Sequence, residues 1–185
     1  MSEPTVDAAR RVRLATVWLN GCSGCHMSFL DLDERLIALA EQVDIVYTPL
    51  IDVKVFPDDV DVTLVEGAVG NEDGLAKIQQ VRARTRILVS FGDCAVNANV
   101  PSLRNLFSVE SVLGRSYLEN VDVAPQVPAE VVPKLLPRER PVHEVVPVDV
   151  FLQGCPPPAD VIYALLTGLL AGDVPNLTEI TRFGR

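Results

Sequence analysis

Two thiols stand one helical turn apart in the segment Gly21-Cys22-Ser23-Gly24-Cys25-His26, and the chain has two other cysteines, Cys94 and Cys155. Glycine precedes each of these as well, directly in Gly154-Cys155 and two residues back in Gly92-Asp93-Cys94. All four follow apolar runs, so four thiols at three strand ends suggest one shared ligand set. Thiolates hold iron-sulfur clusters or zinc. Backbone N–H groups brought toward sulfur by the glycines at 21, 24, 92 and 154 would stabilise the thiolate form and tune a cluster. Structural zinc commonly draws on two close cysteine pairs, whereas only one pair is close here, which favours iron-sulfur over zinc.

Two narrower readings take the first pair alone. Cys22-Ser23-Gly24-Cys25-His26 matches the C-x-x-C-H pattern of covalent haem attachment, and C-x-x-C at a strand-to-helix junction also resembles a redox dithiol. Both leave Cys94 and Cys155 unexplained. Among the other polar residues, Glu66 ends the third apolar strand on the same edge and is a candidate for proton movement or partner contact, against the commoner role of a solvated loop carboxylate. His26 is expected as a polar surface or interface residue, and Asp93 as a cap of the helix that follows it. Trp18, Phe29 and Phe91 are expected in the core.

The elements that must position these residues are legible from periodicity. Arg13 to Leu19 forms a β-rich apolar run, and Cys25 to Ala40 carries Met27, Phe29, Leu32, Leu36, Leu39 and Ala40 at helical spacing, predicting strand, thiol loop and helix. Strands follow at Val43 to Tyr47, Val60 to Val65, Arg86 to Phe91 and Val148 to Leu152. An amphipathic helix is expected over about 72–84, with Leu75, Ile78 and Val81 on one face, and another over about 159–171. Short apolar strands alternating with helices predict an α/β fold, an open parallel sheet with helices on both faces. In such sheets ligands sit beyond the carboxyl ends of the strands, where all four cysteines fall.

Residues from about Gly114 to Pro147 break the rhythm. Pro125, Pro128, Pro133, Pro137, Pro141 and Pro147 exclude a regular central strand or long helix there. This Pro-rich excursion either lies against a partner subunit or the cluster, or is a solvated loop.

The 185 residues fit one domain, taken as 1–185. A net charge of −9 opposes binding to a nucleic-acid backbone. No apolar run reaches the ~18 residues of a membrane span. Arg10-Arg11 resembles a twin-arginine export signal, but the apolar run after it is short and lacks a small-residue cleavage site, so the chain reads as cytoplasmic. In that compartment four cysteines favour metal or redox chemistry over disulfides.

The motif set G-C-S-G-C-H-M-S at 21–28, V-E-G at 65–67, S-F-G-D-C-A at 90–95 and Q-G-C-P-P at 153–157 resembles the small subunit of nickel-iron hydrogenases. Within that family it is most similar to the short small subunits of cytoplasmic, bidirectional NAD-reducing enzymes. The resemblance implies a flavodoxin-like domain holding one 4Fe-4S cluster, with Cys22, Cys25, Cys94 and Cys155 as its ligands. It also implies a nickel-iron centre on a separate large subunit, and partner iron-sulfur and flavin subunits forming a diaphorase that reduces NAD. A related small subunit of respiratory complex I starts with adjacent cysteines, so the C-x-x-C spacing favours hydrogenase. Some relatives bear FMN, but the cysteine pair occupies the loop where a flavodoxin would bind phosphate, which weighs against FMN here.

Overall fold

A computed structural model of the chain describes residues 10–184. The first strand, β1 (Val12–Trp18), leads into α1 (Gly24–Leu30) and α2 (Arg35–Ala40), then β2 (Val43–Tyr47). Next come β3 (Val60–Glu66), the short β4 (Val69–Asn71), α3 (Glu72–Arg84) and β5 (Thr85–Phe91). After α4 (Asp93–Asn97) a 3-10 segment, Val100–Leu106, precedes α5 (Val109–Gly114). Then come β6 (Leu135–Arg140), β7 (Val150–Leu152), α6 (Ala159–Leu170) and a 3-10 turn at Leu177–Glu179.

Five parallel strands form one sheet in the order β2-β1-β3-β5-β7. This is the flavodoxin-like order, and its switch point lies between β1 and β3, where successive loops diverge. Both faces are covered, which explains why the strands read as nearly continuous apolar runs. On one side Leu14, Val62, Leu64, Val89 and Phe91 pack with Phe29 of α1 and with Ile162 and Leu165 of α6. On the other, Ala15, Val17, Val65 and Leu88 pack with Ile78 and Val81 of α3 and with Val142 and Val146. Fully burying each large aliphatic side chain contributes about 1.5–3 kcal/mol.

α3 has the boundaries its pattern predicts. Asn71 caps it by accepting the Gly74 N–H at 2.7 Å, acidic residues lie in its first turn and Arg82 and Arg84 in its last, so both ends suit the helix dipole. The helix expected from Cys25 to Ala40 is instead interrupted at residues 31–34. Asp33 takes a left-handed conformation with φ +51°, which aspartate tolerates better than most residues. The bend lets both Leu32 and Leu39 reach the core.

The Pro-rich excursion adds no strand to the main sheet, yet it is not uniformly irregular. Its second half forms β6, antiparallel to β4 in a separate two-stranded sheet, and brings Val142 and Val146 into the core. Residues 121–134 are mostly exposed. Glu139 of β6 pairs with Arg104 at 3.1 Å, and its carboxylate lies against the bare Cα of Gly70. Asn20 Nδ2 donates to the same carboxylate at 3.0 Å, tying the excursion to the loop that leads into Cys22.

Candidate metal centre

The carboxyl ends of β1, β5 and β7 deliver the four cysteines to one edge of the sheet. Ser23, in a left-handed conformation with φ +67°, turns the chain from Cys22 into α1, so that Cys25 enters the helix's first turn. Cys94 lies in the first turn of α4. The β5–β7 ladder continues past the strands: Gly92 N–H donates to Leu152 O and Asp93 N–H to Gly154 O, both at 2.8 Å. Cys94 and Cys155 therefore leave adjacent, hydrogen-bonded backbones. The Asn99 side-chain amide reaches Cys155 Sγ at 3.5 Å.

Cys25 is buried, Cys94 is half-buried, and Cys22 and Cys155 are exposed. Burial pushes the Cys25 thiol far up, and negative charge on Glu66, Cys94, Cys22 and Cys155 adds to the effect. The Cys94 thiol is pushed up to about 11, first by burial, then by Cys155 and Cys22. The sulfurs thus share one electrostatic neighbourhood, although they are remote along the chain. Among the described residues, no three His, Cys, Asp or Glu side chains close on a point that one metal ion could occupy.

Glu66 and His26 are the largest departure from expectation. Neither is solvated or at the surface: each is 1% exposed. His26 projects inward from α1 and reaches both β3 and β1: its Nδ1 pairs with Glu66 Oε2 and its Nε2 lies 2.9 Å from Thr16 Oγ1. Thr16 donates onward to Thr48 Oγ1 at 2.8 Å. Glu66 also accepts the backbone N–H of His26 at 3.0 Å and that of Cys25 at 3.4 Å. A carboxylate beside a buried histidine and two backbone donors satisfies groups that burial would otherwise strand. One signal for this arrangement was present: Thr16 is a polar residue inside a strand buried on both faces.

Two further expectations are corrected. Asp93 makes no side-chain cap to α4. Gly92 holds the N-cap position and Asp93 lies in the first turn, where its Oδ1 accepts the Gly154 N–H at 2.7 Å and its Oδ2 the Gly184 N–H at 2.6 Å. Phe29 and Phe91 are core residues as expected, but Trp18 is 49% exposed. It ends β1 beyond the cover of the helices and donates from Nε1 to Gly21 O at 3.2 Å. Sequence reasoning missed Asn99, Asn20 and Ser28, whose Oγ donates to Pro157 O at 2.6 Å; these loop and helix positions carry no periodic signal.

The family described as the 20 kDa subunit of NADH ubiquinone oxidoreductase matches residues 22–169, a span that includes all four cysteines. The delta subunit of NAD-reducing hydrogenase HoxS from Cupriavidus necator is 36% identical over 94% of this chain and 88% of its own length. A crystal structure of an NAD+-reducing [NiFe]-hydrogenase in the H2-reduced state superposes with a TM-score of 0.90 at 42% identity, covering 94% of this chain and 99% of that one. The chain belongs to the nickel-iron hydrogenase small-subunit family.

A subunit of the F420-non-reducing hydrogenase from Methanothermobacter thermautotrophicus is 34% identical over 92% of the chain, which spans 57% of that longer relative. The hydrogenase small-subunit assignment is thus favoured over a zinc-stabilised interaction subunit and over a complex-I-like one, although the matching family takes its description from the latter group. Among the described residues no helix of this small subunit is long and apolar enough to cross a membrane.

Proposed function

We propose that this chain is the electron-transfer small subunit of a cytoplasmic, NAD-reducing nickel-iron hydrogenase. In this reading it is one domain, residues 1–185, holding one 4Fe-4S cluster on Cys22, Cys25, Cys94 and Cys155. The observation that carries it is the arrangement of the three cysteine loops at the mouth of the sheet: Cys25 Sγ lies against Gly92, two residues before Cys94, and Asp93 beside it is bonded in both directions to Gly154, the residue before Cys155.

The donor set suits such a group. The Cys25 and Cys94 thiols, pushed up by burial and by neighbouring negative charge, become favourable thiolates when cationic iron offsets that charge. Zinc needs its sulfurs about 2.3 Å from a single point, whereas thiolates of a four-iron cage each bind a different iron. When bound, such a cluster accepts and returns one electron at a time.

The chain's own groups shape and tune the site. Gly92 leaves room against Cys25 Sγ, the Asn99 amide donates toward Cys155 Sγ, and the apolar residues of the first core limit water behind Cys25. Hydrogen bonds to sulfur and burial are the protein's means of setting cluster potential. Glu66 heads a buried row, through His26 and Thr16 to Thr48, along which a proton can follow an electron.

The nickel-iron centre belongs to a partner large subunit in this reading, and electrons pass to the iron-sulfur and flavin subunits of a diaphorase. The names of the similar proteins support it. So does an exposed apolar segment that follows Asn99, with Val100, Leu103, Leu106 and Phe107 all at least 60% exposed, more than a solvated segment needs.

The test is anaerobic purification of the full chain followed by iron and sulfide assay and optical reduction. About four iron per chain and a broad absorption that bleaches on reduction are expected, both lost in Cys94→Ser. A colourless protein carrying zinc would overturn the reading.

A further inference from the structure

Asp93 is an acidic side chain with almost no access to water, 3% exposed, and both its oxygens are taken by backbone amides from elsewhere in the chain. Oδ1 receives the N–H of Gly154, the residue before Cys155, while the N–H of Asp93 returns a bond to Gly154 O at 2.8 Å. The residue before Cys94 and the residue before Cys155 are thus joined in both directions. Oδ2 receives the N–H of Gly184. That bond belongs to a segment, residues 177–184, that lies across the Cys155 loop: Leu177 is buried in the first core and Thr181 Oγ1 donates to Gln153 Oε1 at 2.9 Å.

Resting on the cluster reading above, we propose that Asp93 is a positioning residue that fixes the separation of Cys94 and Cys155, and that segment 177–184, held on its second oxygen, straps the Cys155 loop in ligand-ready form. The chemistry favours a carboxylate. Its two oxygens are acceptors only, and charge-assisted bonds to N–H are roughly twice as strong as neutral ones. Asparagine offers one oxygen and an NH2 group, so in either orientation one backbone donor faces another donor. Ligands need support of this kind, since a site held even ~0.5 Å too loosely loses its metal geometry.

The experiment uses the full chain with its cluster reconstituted from iron and sulfide, comparing wild type with Asp93→Ala, Asp93→Asn and Thr63→Val. The last removes the buried Thr63–Thr85 hydroxyl contact of 2.8 Å in the sheet, away from the cysteines. Asp93→Ala is expected to release iron to a chelator about tenfold faster or more, with an altered EPR line shape of the reduced cluster and loss of tryptic protection after Arg182. Asp93→Asn, which keeps the side-chain volume, is expected to show the same EPR change and tail exposure and carries the test if the alanine variant does not fold. Thr63→Val should lower the melting temperature while leaving iron release, EPR and tail cleavage unchanged. Asp93→Asn with wild-type iron release, EPR and tail protection would overturn the proposal alone, whereas a wild-type chain that forms no iron-sulfide chromophore would overturn the cluster reading and this proposal together.

Discussion

The bare Cα of Gly92 faces Cys25 so closely that a β-carbon at position 92 would overlap the Cys25 sulfur. Gly92 also has φ +83° and ψ 162°, a region populated almost solely by glycine. Gly92→Ala therefore combines a backbone cost of about 1–3 kcal/mol with displacement of a proposed ligand. The soluble variant is expected to retain less than half of the wild-type iron, assayed per chain after anaerobic purification. Full iron content would mean that Cys25 is not held where its sulfur contacts position 92.

Glu66 satisfies the backbone donors of Cys25 and His26 and the His26 ring. Each buried donor left without a partner costs about 1–3 kcal/mol, so Glu66→Ala should lose more than about 2 kcal/mol in urea denaturation. Glu66→Gln keeps an acceptor and the side-chain volume and should lose less. In the assembled enzyme Glu66→Gln is expected to retain its iron but to slow hydrogen-dependent NAD reduction; an unchanged rate would remove Glu66 from any proton route.

Arg104 and Glu139 form a pair whose side chains are 13% and 5% exposed. Arg104 also donates to Leu136 O and Gly70 O, at 3.0 and 3.2 Å. Arg104→Met strands the Glu139 charge and should destabilise the chain by about 3–5 kcal/mol. The exposed Arg115–Glu119 pair is the comparison: Arg115→Met should change stability by less than about 1 kcal/mol. Chemical denaturation midpoints of the two variants check the contrast, and equal shifts would contradict it.

Leu103 and Leu106 are exposed in the 3-10 segment Val100–Leu106, which follows Asn99. Leu103→Glu with Leu106→Glu changes little within the free chain, about 0.5 kcal/mol for each surface substitution. The same changes would place two charges in a partner interface. Reduced co-purification of the large subunit, at unchanged iron per small subunit, is the expected result. Undiminished assembly would place the partner on another face.

The main sheet is legible because parallel strands covered on both faces are written as unbroken apolar runs, and the cysteines follow the ends of three of them. Strand β6 is not legible. It contains Pro137 and charged Arg138, Glu139 and Arg140, and its pairing with the short β4 is a contact distant in sequence that no local pattern encodes. The break at residues 31–34 is hidden for a related reason: Leu32, Leu36 and Leu39 keep helical spacing across it, while the bend is set by where the core lies.

The amino-acid sequence alone determined the α/β class, the five strands of the main sheet, the family resemblance and the set of thiols that could act together. Only the tertiary structure decided which polar residues lie buried beside those thiols. In the sequence His26 reads as a surface or interface residue, Asp93 as a helix cap, and Glu66 as either a proton-path or partner-contact candidate or a solvated carboxylate, because local sequence shows a residue's type but not what folds over it. Helix α1 turns its own His26 inward onto Glu66, and the loop after β7 with segment 177–184 closes over Asp93. Burial then makes hydrogen-bonding partners obligatory, and those partners come from residues that only the fold brings near.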